Sequence, residues 1–487
     1  MKLLRDILYK VAIKSVLGPT DAVISEIQYD SRKVKSNNLF VAIKGTESDG
    51  HHYIKHAISK GAVAIIHQQA IELKQQGVTY VAVEDSAKAL AFMAANYYDH
   101  PSENLSLIGV TGTNGKTTVS SLLYALFRAA GYKVGLLSTV QILVDDKVFP
   151  ATHTTPNSIV INRYLKLMND VGVEFCFMEV SSHGIDQSRI EGLLFTGGIF
   201  TNLSHDHLDY HKNFNAYRDV KKMFFDQLPK TAFALINNDD RNAGVMVQNT
   251  SAKVYSYALK THADYRVQIL ENQLKGLLLK INDSEVWAKL IGAFNAYNLA
   301  AVFGCAAILG IETTEVLRII SNLENVSGRF EFFVSSSEIT VIIDYAHTPD
   351  ALKNTLQTIN TIRTKNETLI TVVGCGGDRD KKKRPKMGHI ASLLSNKVIL
   401  TSDNPRSENP EEIISEMEQG VEVDNYNKII SITNRAQAIK TACQLATAKD
   451  IILLAGKGHE TYQEVMGKKA HFSDFEVAYE SLKQLEK

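Results

Sequence analysis

Cysteine is scarce in this chain. Its 487 residues include four, Cys176, Cys305, Cys375 and Cys443, each isolated from the others. With no C-x-x-C pair, neither a zinc site nor a disulfide framework is expected, and Cys176 and Cys305, in apolar surroundings, read as small core residues. Net charge is also lacking, because Lys+Arg and Asp+Glu both number 53. A neutral chain has no global field of the kind that marks a general nucleic-acid or membrane-surface binder, although local basic patches could still hold phosphates. No run approaches the ~20 consecutive apolar residues that cross a bilayer. The opening Met1-Lys2-Leu3-Leu4-Arg5-Asp6 lacks the apolar stretch of a secretion signal. The expectations are therefore a cytoplasmic protein, no membrane insertion and no nucleic-acid partner. No internal repeat or low-complexity tract is visible.

What is present is the balance of a globular protein, with 45% hydrophobic and 22% charged residues. The length suggests roughly three domains. Short apolar runs recur at Leu105–Val110, Phe175–Val180, Gly198–Thr201, Phe233–Ile236, Thr340–Asp344, Leu369–Val373, Lys397–Thr401 and Ile451–Ala455, with helical stretches such as Thr117–Ala130 and Ala436–Ala446 between them. Strand-like runs without alternation, separated by helices, predict parallel sheets covered on both faces. Ligand groups in such sheets gather beyond the carboxyl ends of the strands. Breaks at Asp99-His100-Pro101-Ser102 and near Ser327-Gly328-Arg329 divide the chain into residues 1–100, 101–329 and 330–487. The predicted architecture is α/β throughout: a small N-terminal domain, a central nucleotide-binding domain and a C-terminal Rossmann-like domain.

The strongest local signal follows the run at Leu105–Val110. Gly112-Thr113-Asn114-Gly115-Lys116-Thr117-Thr118 reads as a glycine-rich loop between a strand and a helix. Such glycines let several backbone N–H groups face one anion, and the helix N-terminus adds its positive end. Lys116 can reach the terminal phosphates, and the Thr117 hydroxyl can hold Mg²⁺. A strict Walker A motif would place glycine where Val110 stands. The loop predicts a bound nucleoside triphosphate without saying what it is used for, since motors, switches, kinases and ligases all carry one.

In this form the loop resembles that of the Mur ligase family, whose core folylpolyglutamate synthases share. Further matches follow in the family's order: Glu179-Val180-Ser181-Ser182-His183, Thr201-Asn202-Leu203 with Asp206-His207-Leu208-Asp209, Gly292-Ala293-Phe294-Asn295 with Asn298, Gly328-Arg329, and Asp344-Tyr345-Ala346-His347. The resemblance spans nearly the whole chain. Glu179 would also stand out unaided, because a carboxylate closing an apolar strand is costly unless something binds it. A structural ion pair is the ordinary explanation, and a phosphate-bound Mg²⁺ suits the position better. The resemblance implies Thr117, Glu179 and His207 as ligands of Mg²⁺ at two sites. It also implies a carbamylated lysine, a CO₂ adduct serving as an oxygen ligand, and spacing from His211 puts this at Lys221, with Lys222 adjacent. Asn295 and Asn298 are implied near the adenine, Asp344 at the ribose and Arg329 at the ATP phosphates; His347 receives no role.

The resemblance implies an amide ligase in cytoplasmic peptidoglycan-precursor synthesis. It would activate a carboxylate as an acyl phosphate at the expense of ATP, and an amine would then displace the phosphate. Lys116, Lys221, His207 and Arg329 are the implied catalytic residues, and no serine or cysteine nucleophile is needed. Tyr29-Asp30-Ser31-Arg32-Lys33 and Asn38–Gly45 are similar to the UDP-binding region of the family members that add the third amino acid, with Ser31 at the uridine. Thr154, Thr155, Ser181, Gln187 and Arg189 resemble that branch's contacts to the muramoyl-dipeptide. Asp403-Asn404-Pro405-Arg406 resembles the signature of members that add meso-diaminopimelate. That amino acid carries a carboxylate at its far end, which Arg406 can hold in a two-pronged pair, whereas L-lysine presents only an ammonium there. Arg379, twenty-four residues before Asp403, Gly456 and Glu460 complete the implied diaminopimelate site. The implied substrates are UDP-N-acetylmuramoyl-L-alanyl-D-glutamate and meso-diaminopimelate, and a monomer is expected. Lys381-Lys382-Lys383-Arg384 reads as a solvated loop near anionic substrates. The rival readings are a folate glutamyl ligase, a ligase adding the next dipeptide, a P-loop switch or motor, and a non-catalytic nucleotide-binding scaffold.

Overall fold

A computed structural model describes residues 1–45, 48–71, 75–204 and 208–487, the side chains of Leu208 and Asp209 excepted. Three α/β sheets take up successive stretches of the chain. The first has five strands in the order Ile13–Leu17, Thr79–Val83, Ala62–His67, Asn38–Val41, Glu26–Gln28, parallel except for the first. The helix Ser86–Tyr97, capped by the Asp85 carboxylate on two backbone N–H groups, closes this unit.

The middle sheet has eleven strands, of which seven run parallel: Val134–Leu137, Phe175–Glu179, Ser106–Thr111, Gly197–Phe200, Phe233–Asn237, Lys253–Ala258 and Tyr265–Gln273 in spatial order. Apolar clusters lie on both faces, one built around Val119, Leu123 and Phe127 of the helix Lys116–Ala129, the other around Phe224 and Phe225 of the helix Phe214–Asp226. Burial on both faces explains why these strands read as unbroken apolar runs. Antiparallel strands flank the parallel core: Gln141–Val144 and Lys147–Pro150 at one edge, Gly276–Ile281 and Ser284–Ala288 at the other. The parallel-sheet expectation did not include them. Gly276–Ile281 has one buried face, Leu277, Leu279 and Ile281, and packs with the helix Ala293–Ile308 in the same core.

The third sheet has the order Glu331–Val334, Thr340–Asp344, Ile451–Ala455, Leu369–Val373, Lys397–Leu400, Ile429–Ser431, parallel beyond its first strand. It too carries an apolar cluster on each face. In both larger sheets a later strand is inserted between earlier ones. Phe175–Glu179 enters between Val134–Leu137 and Ser106–Thr111, and Ile451–Ala455 enters between Thr340–Asp344 and Leu369–Val373. Insertion sets the loops that follow these strands side by side beyond their carboxyl ends, where the crevices of such sheets form. All four cysteines are buried and unpaired. Among the described residues no helix is long and apolar enough to cross a membrane.

Candidate active site

The first crevice holds the glycine-rich loop. Gly112 and Gly115 have φ of 150° and 88°, and a Cβ on Gly115 would stand 2.7 Å from Asn298 Oδ1, so side chains are excluded by both backbone and space. The neighbouring strand end braces the loop: the Thr113 amide donates to Asn202 O at 2.8 Å, the Asn114 amide to Asn202 Oδ1 at 3.0 Å, and Thr201 Oγ1 to Asn114 O at 2.6 Å. Lys116 Nζ folds back onto Gly112 O and Thr113 O at 2.9 and 2.8 Å. Lys221 Nζ, 1% exposed, donates to the same Gly112 carbonyl at 2.9 Å and lies over the Tyr217 ring. Its neighbour Lys222 turns outward to Asp226, one helical turn on. Of the two adjacent lysines, only Lys221 reaches the loop.

Glu179 is wholly buried at the end of its strand. It accepts from Thr117 Oγ1 at 3.0 Å and from the Thr139 amide at 2.6 Å. A buried carboxylate beside a hydroxyl at the mouth of a phosphate loop is a hard-oxygen donor pair of the kind Mg²⁺ takes, together with phosphate oxygens and water. Among the described residues no group of three or more His, Cys, Asp or Glu side chains forms a metal cluster. His207, the other expected ligand, lies outside the described residues.

Arg329 crosses from the junction before the third sheet to this crevice. Its Nη2 donates to Thr117 Oγ1 at 3.1 Å, and its guanidinium lies 4.5 Å over the Tyr345 ring. Among the described residues Arg329 Nε is buried and has no hydrogen-bond partner, which leaves a donor for an anion at the loop. Asp344 accepts from the Phe330 amide and Thr355 Oγ1, while burial pushes its carboxyl above the usual range. Asn298 Nδ2 donates to Asn295 Oδ1 at 2.9 Å, and Asn295 Nδ2 to Ile291 O, so both amides are fixed at the start of their helix.

A polar group beside Glu179 joins the first two units. Thr155 Oγ1 donates to Glu179 O and accepts from the Ser181 amide, Thr154 Oγ1 accepts from Thr139 Oγ1, and Arg189 binds Gln187 Oε1 and Thr155 O. Burial lowers the Arg189 pKa. Across the junction Asn157 Nδ2 donates to Tyr29 OH at 3.2 Å, and the buried Ser31 shares a hydrogen bond with His56 Nδ1.

The second crevice opens into a cleft of about 1000 Å³ lined by Tyr345, Arg379, Asp403, Asn404, Arg406, Gly456 and Glu460 and, from the middle unit, His183. Arg406 has φ of 51°, a conformation uncommon for arginine, and its Nη1 reaches Gly377 O at 2.7 Å. Asn404 Nδ2 donates to Glu460 Oε2 at 2.8 Å. Cations and carboxylates thus face one space, as a zwitterion requires. The sequence reading passed over two residues here. His183, whose ring is tilted against Tyr210 with centroids 4.2 Å apart, stands in the Glu179–His183 motif without having been given a role. Lys457, in the same position between Gly456 and Glu460, is fully buried with Nζ 2.9 Å from Glu460 Oε2.

The family model described as the Mur ligase middle domain matches residues 110–306, the one described as Mur ligase, glutamate ligase domain matches 328–458, and the one described as Mur ligase family, catalytic domain matches 23–98. UDP-N-acetylmuramoyl-L-alanyl-D-glutamate--2,6-diaminopimelate ligase of Cytophaga hutchinsonii is 51% identical, over 99% of this chain and 100% of that protein. The ligase of the same name from Phocaeicola vulgatus is 50% identical over 97% and 98%. A solved structure of a ligase bearing that name has a TM-score of 0.70 and 30% identity, covering 100% of this chain and 99% of that one.

Proposed function

The chain belongs to the Mur ligase family, and from that membership we propose that it adds meso-2,6-diaminopimelate to the D-glutamate of UDP-N-acetylmuramoyl-L-alanyl-D-glutamate, with ATP as the energy source. The reading places the reaction in cytoplasmic peptidoglycan-precursor synthesis, carried out by a monomer of three domains, residues 1–100, 101–329 and 330–487. The observation that carries it is the convergence of two crevices: Arg329, from the start of the third unit, touches Thr117 on the phosphate loop, while its ring partner Tyr345 lines the zwitterion cleft.

The glutamate carboxylate attacks the γ-phosphate of ATP and ADP leaves; the diaminopimelate amine then attacks the acyl carbon, phosphate leaves, and the amine's proton passes to solvent. This splits an uphill condensation into two feasible steps. Both reactants of the first step are anions, so the residues' work is to hold them together against repulsion. Lys116 leaves its loop carbonyls for the terminal phosphates, and Arg329 Nε and Nη2 meet the same oxygens. Thr117 and Glu179, with His207 and a carbamylated Lys221, would hold Mg²⁺, which supplies charge neutralisation on the phosphates. Asn295 and Asn298 flank the adenine and Asp344 the ribose. Ser31 meets the uridine, and Thr154, Thr155, Ser181, Gln187 and Arg189 hold the muramoyl-dipeptide beside the loop. Arg379, Asp403, Asn404, Arg406, Gly456 and Glu460 orient diaminopimelate by its far end.

The test is phosphate release with ATP, Mg²⁺ and the UDP-muramoyl-dipeptide, supplied with meso-diaminopimelate, L-lysine or no amino acid. Release should require the dipeptide and favour meso-diaminopimelate. Arg406→Ala should weaken that substrate by about 2 to 5 kcal/mol, the usual loss when one partner of a buried charge pair is truncated. A preference for L-lysine would refute the amino-acid assignment, and release indifferent to both substrates would favour a P-loop switch.

A further inference from the structure

Below the zwitterion cleft, and out of contact with solvent, lies the ammonium of Lys457. Its Nζ is 2.9 Å from Glu460 Oε2 and 3.2 Å from Asn404 Oδ1, and it lies 5.5 Å from the centre of the Tyr462 ring. Asn404 Oδ1 also accepts from the Glu464 amide at 2.9 Å. With two donors on its oxygen, the Asn404 amide has one orientation, which turns Nδ2 to Glu460 and the cleft. The Lys457 charge also cancels that of Glu460, while Asp403, beside Asn404, has no lysine or arginine at ion-pair distance among the described residues. Two other buried cations nearby are committed elsewhere, Arg384 to Glu408 and Glu416 and Arg435 to Asp474, which it binds through two nitrogens at 2.8 and 2.6 Å.

We propose that Lys457 is a positioning and specificity-determining residue. It orients the Asn404 amide and neutralises Glu460, so that the cleft tolerates an amino acid whose far end carries a carboxylate as well as an ammonium. This inference rests on the proposed ligase activity. Meso-diaminopimelate and L-lysine share the far ammonium and differ in the carboxylate, so the ratio of their kcat/KM values isolates the charge that the carboxylate meets.

The experiment compares that ratio in the full-length wild type, Lys457→Met, Lys457→Arg and Glu460→Gln, using ATP-dependent phosphate release. Removing the ammonium leaves an uncompensated carboxylate, and the ratio should fall by about tenfold, the order of one nearby buried charge. Glu460→Gln leaves the ammonium uncompensated and should raise the ratio, while Lys457→Arg keeps the charge and should hold it within about threefold of wild type. KM for ATP should stay put in all three variants. If Lys457→Met does not fold, the double variant Lys457→Met/Glu460→Gln is compared with Glu460→Gln: loss of the ammonium on that background should lower the ratio by about tenfold, and an unchanged ratio would overturn the proposal. Equal losses on both amino acids, or shifts of the same sign in Lys457→Met and Glu460→Gln, would overturn the proposal. A wild type that does not prefer meso-diaminopimelate would instead overturn the ligase assignment on which it rests.

Discussion

Glu179→Gln separates a structural carboxylate from a metal-binding one. The side chain is fully buried and accepts two hydrogen bonds, from Thr117 Oγ1 at 3.0 Å and the Thr139 amide at 2.6 Å. Glutamine has the same shape. Its oxygen can keep the Thr139 amide, and its NH₂ can donate to Thr117 Oγ1 once that hydroxyl rotates, because a hydroxyl both donates and accepts. The fold therefore loses only the difference between charged and neutral hydrogen bonds, about 1 to 2 kcal/mol over the pair. A residue that supplies charge for Mg²⁺ at the phosphates loses far more. Removing one preorganised electrostatic contact to a transition state typically costs about 10²- to 10³-fold in kcat. The assay is steady-state phosphate release titrated with Mg²⁺, with urea unfolding measured alongside. The expected result is a kcat at least about 100-fold lower, a Mg²⁺ dependence moved to higher concentration and a nearly unchanged unfolding curve. Wild-type turnover with an unmoved Mg²⁺ curve would refute the reasoning and make Glu179 a brace for the loop alone.

Two further outcomes follow from the same geometry. Lys221→Ala should abolish turnover, and intact-mass measurement of wild type under bicarbonate should show one CO₂ adduct that this variant lacks; Lys222→Ala, which removes a partly buried ion pair with Asp226, should cost about 1 kcal/mol of stability and leave activity intact. His459, whose ring is tilted against Tyr345 with centroids 5.1 Å apart, has its pKa pulled from 6.5 down to about 4 by burial first and then by Arg329 and Lys457. Its folded pKa lies below the unfolded one, so the stability it carries is complete above pH 6.5 and is lost as pH falls toward 4, by up to about 3 kcal/mol. His459→Phe should flatten that acid limb in urea titrations; an unchanged limb would assign the loss to other groups.

Much of the fold was legible because its strands are buried on both faces and therefore read as continuous apolar runs. Thr340–Asp344, Leu369–Val373 and Ile451–Ala455 have the bounds expected from the sequence, and the strand at 106–111 is displaced by one residue. The antiparallel strands at Gly276–Ile281 and Ser284–Ala288 were missed. Their buried faces alternate, and Leu278 outside the core hides the period. The residue types of the candidate site were readable where chemistry demands them, as in the glycines and lysine of the loop and a carboxylate ending an apolar strand. Lys457 was not, because a lysine in a glycine-rich turn is ordinarily solvated and only packing reveals that its ammonium has lost water.

By itself the sequence determined the family, the order of α/β units and the glycine-rich loop, since local patterns and their spacing are properties of the chain. The tertiary structure decided which distant groups meet: Arg329 with Thr117, Lys221 rather than Lys222 with Gly112, and Lys457 with Glu460 beneath the cleft. Such pairings depend on strand insertion at the two crevices and on the burial that follows, where a charge must find a partner because water is excluded.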